Sequence, residues 1–329
     1  MNSLDARVRA QFEVSWGQAR AWIETGKIAV DGQTVTDAQA HAKEGATLTL
    51  TMNAPKPNRE GSLEDARVVH VDAHIVVVRK PAGISTIPFE EGEQGTLDEL
   101  VRDWLAKHEK RHQGENGPAR NAGRPNLGVV HRIDKETTGL VVFTRTWLAK
   151  QSLSSQFRAH TVHRRYIAIA HGNVSALTIR SHLVADRGDG LRGSLEMMRA
   201  RRGGSSTTRG VRGLREGAEG QLAITHIERI AELDGATLVG CRLETGRTHQ
   251  IRVHLSEAGH PIVGERVYIR GYASETREPI VAPRLMLHAA ELGFIHPATE
   301  QPVRWDEPMP GDMEAVMQRL LSSRRRSPS

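Results

Sequence analysis

The stretch Leu127-Gly128-Val129-Val130-His131-Arg132-Ile133-Asp134-Lys135-Glu136-Thr137-Thr138-Gly139-Leu140-Val141-Val142-Phe143 sets a charged loop between two apolar runs. Leu127 to Val130 reads as a strand end and Leu140 to Phe143 as the strand that follows. Five of the nine residues from His131 to Gly139 can carry a charge. A rigid scaffold that presents polar groups in this way is where sites tend to sit. Thr137-Thr138-Gly139 supplies the turn, with glycine free to take a positive φ. On these residues alone, a structural ion-pair turn and a catalytic loop are equally good readings.

Outward from this loop the chain alternates strands and short helices without regular βαβ order. Residues 67–80 read as two strands around Asp72-Ala73-His74, and further strands are predicted at 140–145, 165–170, 222–230 and 236–243. Helices are predicted over Thr96 to Lys107, Leu148 to Phe157 and Thr248 to Ala258. That pattern gives an α+β domain on a mixed sheet, spanning 67–321, with polar insertions near 90–126 and 186–220. Residues 1–52 form a separate small α/β module. In it a helix over Val14 to Ile23 is stopped by Gly26, and Lys27 to Val30 is a strand that turns at Asp31-Gly32. Thr34 to Thr36 returns and Thr47 to Leu50 closes the unit. The linker is 53–66, where NAPKPNREGS carries proline and polar residues, and the basic tail 322–329 is expected to be disordered.

The 329 residues suit about two domains, and no apolar run approaches the ~20 residues of a membrane helix. The first residues do not read as a signal peptide, so a cytoplasmic protein is expected, and a monomer. The single cysteine, Cys241, excludes an internal disulfide and sits in an apolar run as a buried thiol. Net charge is +6, which invites a polyanion. Residues 1–60 are neutral, with seven basic and seven acidic side chains. The segment from Arg187 to Arg215 holds eight arginines, Arg187 and Arg192 among them, against Asp189 and Glu196. Such a loop is suited to phosphate contact; the alternative is a solvated insertion with no ligand.

A second polar stretch runs Leu243-Glu244-Thr245-Gly246-Arg247-Thr248-His249-Gln250-Ile251-Arg252-Val253-His254-Leu255. Gly246 precedes a helix whose buried stripe is expected to include Ile251, Leu255 and Ala258, with Arg247 at its entrance facing away. His249, His254 and His260 are spaced by five and six residues, which puts them on different faces, unlike the i, i+4 pair of a zinc helix. No metal is therefore expected.

HRIDKETTGL, residues 131–140, resembles the signature of the RluA-type family of RNA pseudouridine synthases. Four further segments match in order: Asp72 with Val78-Arg79-Lys80-Pro81-Ala82-Gly83, Arg165-Tyr166-Ile167-Ala168 with Gly172, TGRTHQIRVHLSEAGHPIVGERVY at 245–268, and Arg284-Leu285-Met286-Leu287-His288-Ala289. The resemblance spans about 67–310. Residues 1–52 are similar to an S4-type RNA-binding domain, although Ser15-Trp16-Gly17 and Gly45-Ala46 depart from that pattern. Gly264-Glu265 departs from the family's usual Gly-Asp.

The resemblance implies a pseudouridine synthase fold with a mixed, largely antiparallel sheet, and isomerisation of uridine in RNA without a cofactor. Asp134 is then the essential carboxylate, acting as a nucleophile on the sugar or by promoting a glycal. Arg247 is the cation that favours its ionised form, and Tyr166 stacks near uracil as a candidate general base. Arg132 fills the space of the displaced base, its alternative being a salt bridge to Asp134. Leu287 packs under the base, or is plain core. His131, Thr138, Arg187 and Arg192 complete the candidate RNA contacts. The joined S4-like module favours ribosomal RNA, of the large-subunit (23S) kind, over transfer RNA. Two other classes compete: a non-catalytic ribosome-assembly protein on the same fold, and a hydrolase using His131 and Asp134, for which no Gly-x-Ser-x-Gly nucleophile is present.

Overall fold

The computed structural model describes residues 3–24, 26–35, 40, 45–52, 63, 67–113, 125–187, 190–203, 220–269 and 278–326. The chain divides into two compact units, 1–62 and 63–329. Among the described residues no helix is long and apolar enough to cross a membrane.

In the first unit, helices α1 (Leu4–Phe12) and α2 (Trp16–Glu24) pack on a three-stranded antiparallel sheet. Its strands are β1 (Ile28–Val30), β2 (Gln33–Thr34) and β3 (Leu48–Leu50), in the order β2-β1-β3. Leu4, Val8, Ala19, Ile23, Ile28 and Leu48 close the core. Val30 pairs with Gln33, which leaves Asp31-Gly32 as a two-residue hairpin loop with both residues at positive φ, the geometry that pair favours. Helix α1 was not expected, since its apolar spacing is sparse. It is held by Asp5, buried and 2.9 Å from Arg20 of α2. The Ser3 hydroxyl and then Arg20 hold the Asp5 carboxyl below the usual carboxylate range.

The second unit is one eleven-stranded sheet. Its chain order is β4 (Val68–Val71), β5 (Ile75–Lys80), helix α3 (Leu97–Gln113), β6 (Gly128–Val129), β7 (Thr138–Thr144), α4 (Trp147–Arg158) and β8 (His163–His171). There follow β9 (Leu177–Val184), β10 (Gly193–Ser194), α5 (Leu195–Gly203), β11 (Gln221–Leu233), β12 (Ala236–Leu243) and α6 (Gln250–Glu257). Last come β13 (Leu287–Ile295), β14 (Pro302–Asp306) and α7 (Gly311–Arg326). The spatial order is β10-β9-β11-β12-β8-β13-β7-β5-β4, with β6 beside β7 and β14 beside β13. Among the described residues only β7 and β13 pair in parallel, so the sheet is mixed and largely antiparallel, as expected.

Strands β5 and β7 read as unbroken apolar runs because both faces are covered. Alternation then divides their side chains. Val76, Val78, Val141 and Phe143 meet Leu97, Val101, Trp104 and Leu105 of α3. Ile75, Val77, Leu140 and Val142 meet Ala149 and Leu153 of α4, with Leu292 and Phe294 of β13. Each such side chain contributes about 1.5–3 kcal/mol on burial. A third cluster joins β8 and β12 to Ile251 and Leu255 of α6 and to Met313, Val316 and Leu320 of α7.

Helix α3 lies within the 90–126 insertion and runs to Gln113, past the expected end at Lys107. Helix α7 runs through Arg326, so most of the stretch expected as a disordered tail from 322 is helical; its anchor is the buried Met313, Val316 and Leu320. Within the 186–220 insertion, β10 and α5 are ordered elements. Residues 188–189 and 204–219, which include Arg209, Arg212 and Arg215, lie outside the described residues, as do most of 53–66.

Candidate active site

Asp134 sits on the loop from β6 to β7, and that loop is clamped on both sides. The Thr86 hydroxyl donates to the Ile133 carbonyl at 2.8 Å and accepts from the Ile133 N–H at 3.2 Å. Lys80, at the end of β5, is 1 % exposed and donates to the carbonyls of Pro81, Ile84 and Lys135 at 2.7–2.8 Å. Burial pushes its ammonium down to about 7. Three N–H bonds ending on three carbonyls suit the charged form, since a neutral amine has only two protons to give. On the far side Gly139 takes φ +117°, and a Cβ there would overlap the backbone of Ala289 in β13. The backbone geometry at that point is met by glycine alone.

The Asp134 carboxylate faces Arg252, with Nη1 3.5 Å from Oδ2, and His249, with Nε2 3.9 Å from Oδ1. The cation beside Asp134 is therefore Arg252 of α6 and not Arg247, the arginine expected from the sequence. Arg247 lines the same cleft, but its Nε donates to the Leu222 carbonyl at 3.0 Å. Arg252 is itself fixed by a two-pronged pair with Glu265 at 2.7 and 2.8 Å and lies 5.2 Å from the Tyr268 ring. Burial alone would raise the Glu265 carboxyl; the Arg252 bonds outweigh it and hold the carboxyl below the usual range. Gly264 stands at φ +82°, where a Cβ would overlap the Arg284 carbonyl, and so aims its neighbour Glu265 inward. The Glu that replaces the family's Asp here thus reaches a full bidentate pair.

Above Asp134 opens a cleft of about 560 Å³. Arg132, Arg158, Arg164, Arg247 and Arg252 line it, and Asp134 is the one carboxylate among its lining residues. Tyr166 of β8 and Leu287 at the start of β13 form apolar walls. Burial pushes the Tyr166 phenol up to about 12, with nearby Arg164 opposing and Asp134 adding to the rise. The resting hydroxyl keeps its proton, and its ring offers the cleft a flat stacking wall. A second cleft of about 670 Å³ shares Arg132, Ile133, Asp134 and His249 with the first and adds Phe89 and Arg192. Arg132 is exposed in both, and among the described residues no ion pair joins it to Asp134.

Two expected contacts serve the scaffold instead. Thr138 is buried and its hydroxyl bonds to His288 Nδ1 at 2.9 Å, tying β7 to β13 away from the cleft. His131 lines the cleft, yet its Nε2 accepts from the Val142 N–H at 3.0 Å and its ring stacks on Phe157. Burial, with the Arg164 charge, pushes that imidazole down to about 3, so it stays neutral. A hydrolase that used His131 as base finds no free ring nitrogen of suitable basicity there. Arg187 lines neither cleft; its backbone N–H meets the Leu191 carbonyl, and its side chain packs by Gly193.

The three histidines considered for metal go separate ways. His249 bonds the Tyr268 hydroxyl at 2.7 Å, His254 lies between Ser181 and Thr225, and His260 meets the His171 carbonyl. Ala258, expected in the buried stripe of α6, is exposed at the helix end. Cys241 is buried in β12, and burial pushes its thiol up to about 12.

Sequence reasoning missed Arg252, His249 and Arg164. The signal for Arg252 was Glu265, an acid inside the apolar run Pro261 to Val267, which needs a buried cation. His249 takes φ 58° at the N-terminus of α6, which no residue pattern announces.

A carboxylate held by a fixed cation, under a flat phenol and an apolar side chain in an arginine-rich cleft, is fitted to act on the sugar of a nucleotide whose base is displaced from its stack. Known proteins agree with that chemistry. Residues 74–257 match the family model described as RNA pseudouridylate synthase. The chain is 35 % identical to ribosomal large subunit pseudouridine synthase D of Zymomonas mobilis over 89 % of its own length and 85 % of that protein's. It is 32 % identical to the uncharacterized RNA pseudouridine synthase YlyB of Bacillus subtilis, covering 94 % and 92 %. Human RNA pseudouridylate synthase domain containing 4 shares the fold with a TM-score of 0.55 at 23 % identity, over 78 % of this chain and 93 % of that one. On the strength of the family match and these relatives, the chain belongs to the RluA-type family of RNA pseudouridine synthases.

Proposed function

We propose that this isomerase converts uridine to pseudouridine in large-subunit ribosomal RNA, in the cytoplasm, with Asp134 as the group that acts on the sugar. The observation that carries the reading is Asp134 at the floor of an arginine-lined cleft, with Arg252 3.5 Å from its carboxylate. The reaction cuts the N-glycosidic bond, turns the detached uracil and joins C5 to the sugar. Asp134 contributes by attack at C1′ or by promoting a glycal. Tyr166 and Leu287 sandwich the base, and Arg132 takes the space it leaves in the RNA. Ribosomal RNA is favoured because relatives that match most of this chain carry that substrate in their names. The module at 1–52 is offered as a second, weaker RNA contact, since its five basic side chains are set against six acidic ones.

The test is a site-resolved pseudouridine map of total RNA from cells with the gene intact, deleted, or carrying Asp134→Ala. Loss of the same ribosomal sites in both altered strains supports the proposal. Loss confined to transfer RNA overturns the substrate, and ribosomal sites retained with Asp134→Ala overturn the role of that residue. Turnover by purified protein on unmodified ribosomal RNA guards against a second enzyme covering the same uridines.

A further inference from the structure

Arg164 is a buried arginine of the cleft whose situation the chemistry above leaves unexplained. It lies on β8 two residues before Tyr166, hence on the same face and about 6.6 Å along the strand. It is 8 % exposed, and among the described residues no carboxylate pairs with it. Its Nε finds no acceptor. Nη2 donates to the Glu244 carbonyl at 3.3 Å, and the guanidinium carbon lies 5.7 Å from the Phe157 ring. Gly246 makes room for it: a Cβ there would come 2.6 Å from Nη1.

A buried cation with a single long bond to a neutral carbonyl is undercompensated, and such charges are retained where a ligand completes them. Burial lowers the guanidinium below the ordinary arginine range, but arginine does not give up its proton in proteins, so the charge remains. Arg252 shows the contrast, with its own Glu265 in place. Arg158 and Arg247 line the same cleft as Arg164, and its one carboxylate, Asp134, faces Arg252.

We propose that Arg164 is an anion site for RNA, binding the phosphodiester that adjoins the target uridine while Tyr166, two residues on, holds the base. The inference rests on the pseudouridine synthase reading for the identity of that uridine, and on the geometry alone for the anion. The distance along β8 is about that from a base to its own backbone phosphate, so one strand face grips both ends of the nucleotide. Arg164 then positions the substrate and takes no part in bond breaking.

The test uses the full protein and the ribosomal RNA fragment it binds most tightly, synthesised with an uncharged methylphosphonate at each linkage in turn. With the unaltered protein, one linkage should cost about 10- to 100-fold in affinity. With Arg164→Gln the affinity for all-phosphate RNA should fall by a similar factor, and the same methylphosphonate should then cost almost nothing further. Arg164→Lys should recover part of the loss, and thermal unfolding identifies a variant that fails to fold. An unaltered protein indifferent at every linkage overturns the proposal without recourse to any variant. So does an Arg164→Gln protein that keeps full sensitivity, or one that binds RNA normally and loses only kcat, as a residue stabilising the departing uracil would. If the linkage effect is found but no uridine is converted, the anion site stands and the activity falls.

Discussion

Replacing Arg252 with methionine separates two jobs that one guanidinium performs. Toward Asp134 it offers a charge at 3.5 Å, an attraction of about 5 kcal/mol at an effective dielectric near 20. Toward Glu265 it offers two hydrogen bonds, at 2.7 and 2.8 Å, to a carboxylate whose side chain is 1 % exposed. Removing the arginine strands that buried carboxylate, at a cost of about 3–5 kcal/mol. For a unit of this size that lowers Tm by about 6–15 °C. The companion change Glu265→Gln removes the stranded charge, while its amide oxygen can still accept from the Val267 N–H, bonded to Glu265 at 2.9 Å in the native protein. The double variant should therefore regain stability to within about 1 kcal/mol of the parent. Turnover should fall about 100- to 1,000-fold in the single variant and stay low in the double, because the cation beside Asp134 is missing in both. Thermal unfolding and single-turnover pseudouridine formation read the two jobs independently. A double variant no more stable than the single one, or one that recovers turnover, refutes the division.

Lys80→Met leaves three buried carbonyls without a donor, and should cost about 2–4 kcal/mol in urea unfolding together with much of the turnover; an unchanged midpoint would contradict the clamp. Stability should also fall on acidification. His131, His171 and His254 are held neutral by burial, down to about 3, about 4 and about 4, whereas the unfolded chain takes up these protons near 6.5. The unfolded state therefore binds more protons below about 6.5, and unfolding free energy should drop by about 4–6 kcal/mol between pH 7 and pH 5. His131→Gln should remove about a third of that slope, and a flat profile counts against buried neutral rings. Gly264→Ala forces a side chain onto the Arg284 carbonyl at a positive φ, and should destabilise by more than about 1 kcal/mol. Its RNA turnover should suffer through Glu265 and Arg252, and wild-type values in both assays would show the turn to be permissive.

Much of the catalytic unit could be read from the chain because its apolar runs are long and bounded by turn residues, as with Ile75 to Lys80 and Thr138 to Thr144. Strand β9 escaped because Thr178, Arg180 and His182 on its other face break the apolar run, and only the alternation of Leu177, Ile179, Ser181 and Leu183 betrays it. Strand β13 passed as a motif, its last residues Leu292 to Ile295 unremarked. In the site, Asp134, Tyr166, Arg132 and Leu287 were singled out through the motifs of the resemblance, and all four line the first cleft. The choice between Arg247 and Arg252 was not legible, since both stand in one short polar motif, the first before α6 and the second inside it, and only the position of Glu265 decides. Thr138 and His131 looked like contacts because they are polar and close to Asp134 in sequence. Their hydrogen bonds to His288 and Val142 turn them toward the sheet.

Strand β13 enters the sheet between β7 and β8, joining Thr138 to His288 and Gly139 to Ala289, residues 150 apart in the chain. During synthesis, β7 and β8 emerge long before the strand that must lie between them. Until residues 287–295 leave the ribosome, both strands carry open edges and Leu287 is missing from the cleft. The nascent chain is therefore inactive through most of its synthesis, and loop closure over so long a span makes its final step slow. A chain shortened before β13 should accumulate as an aggregation-prone intermediate with the Asp134 loop unbraced, rather than as a weakened enzyme.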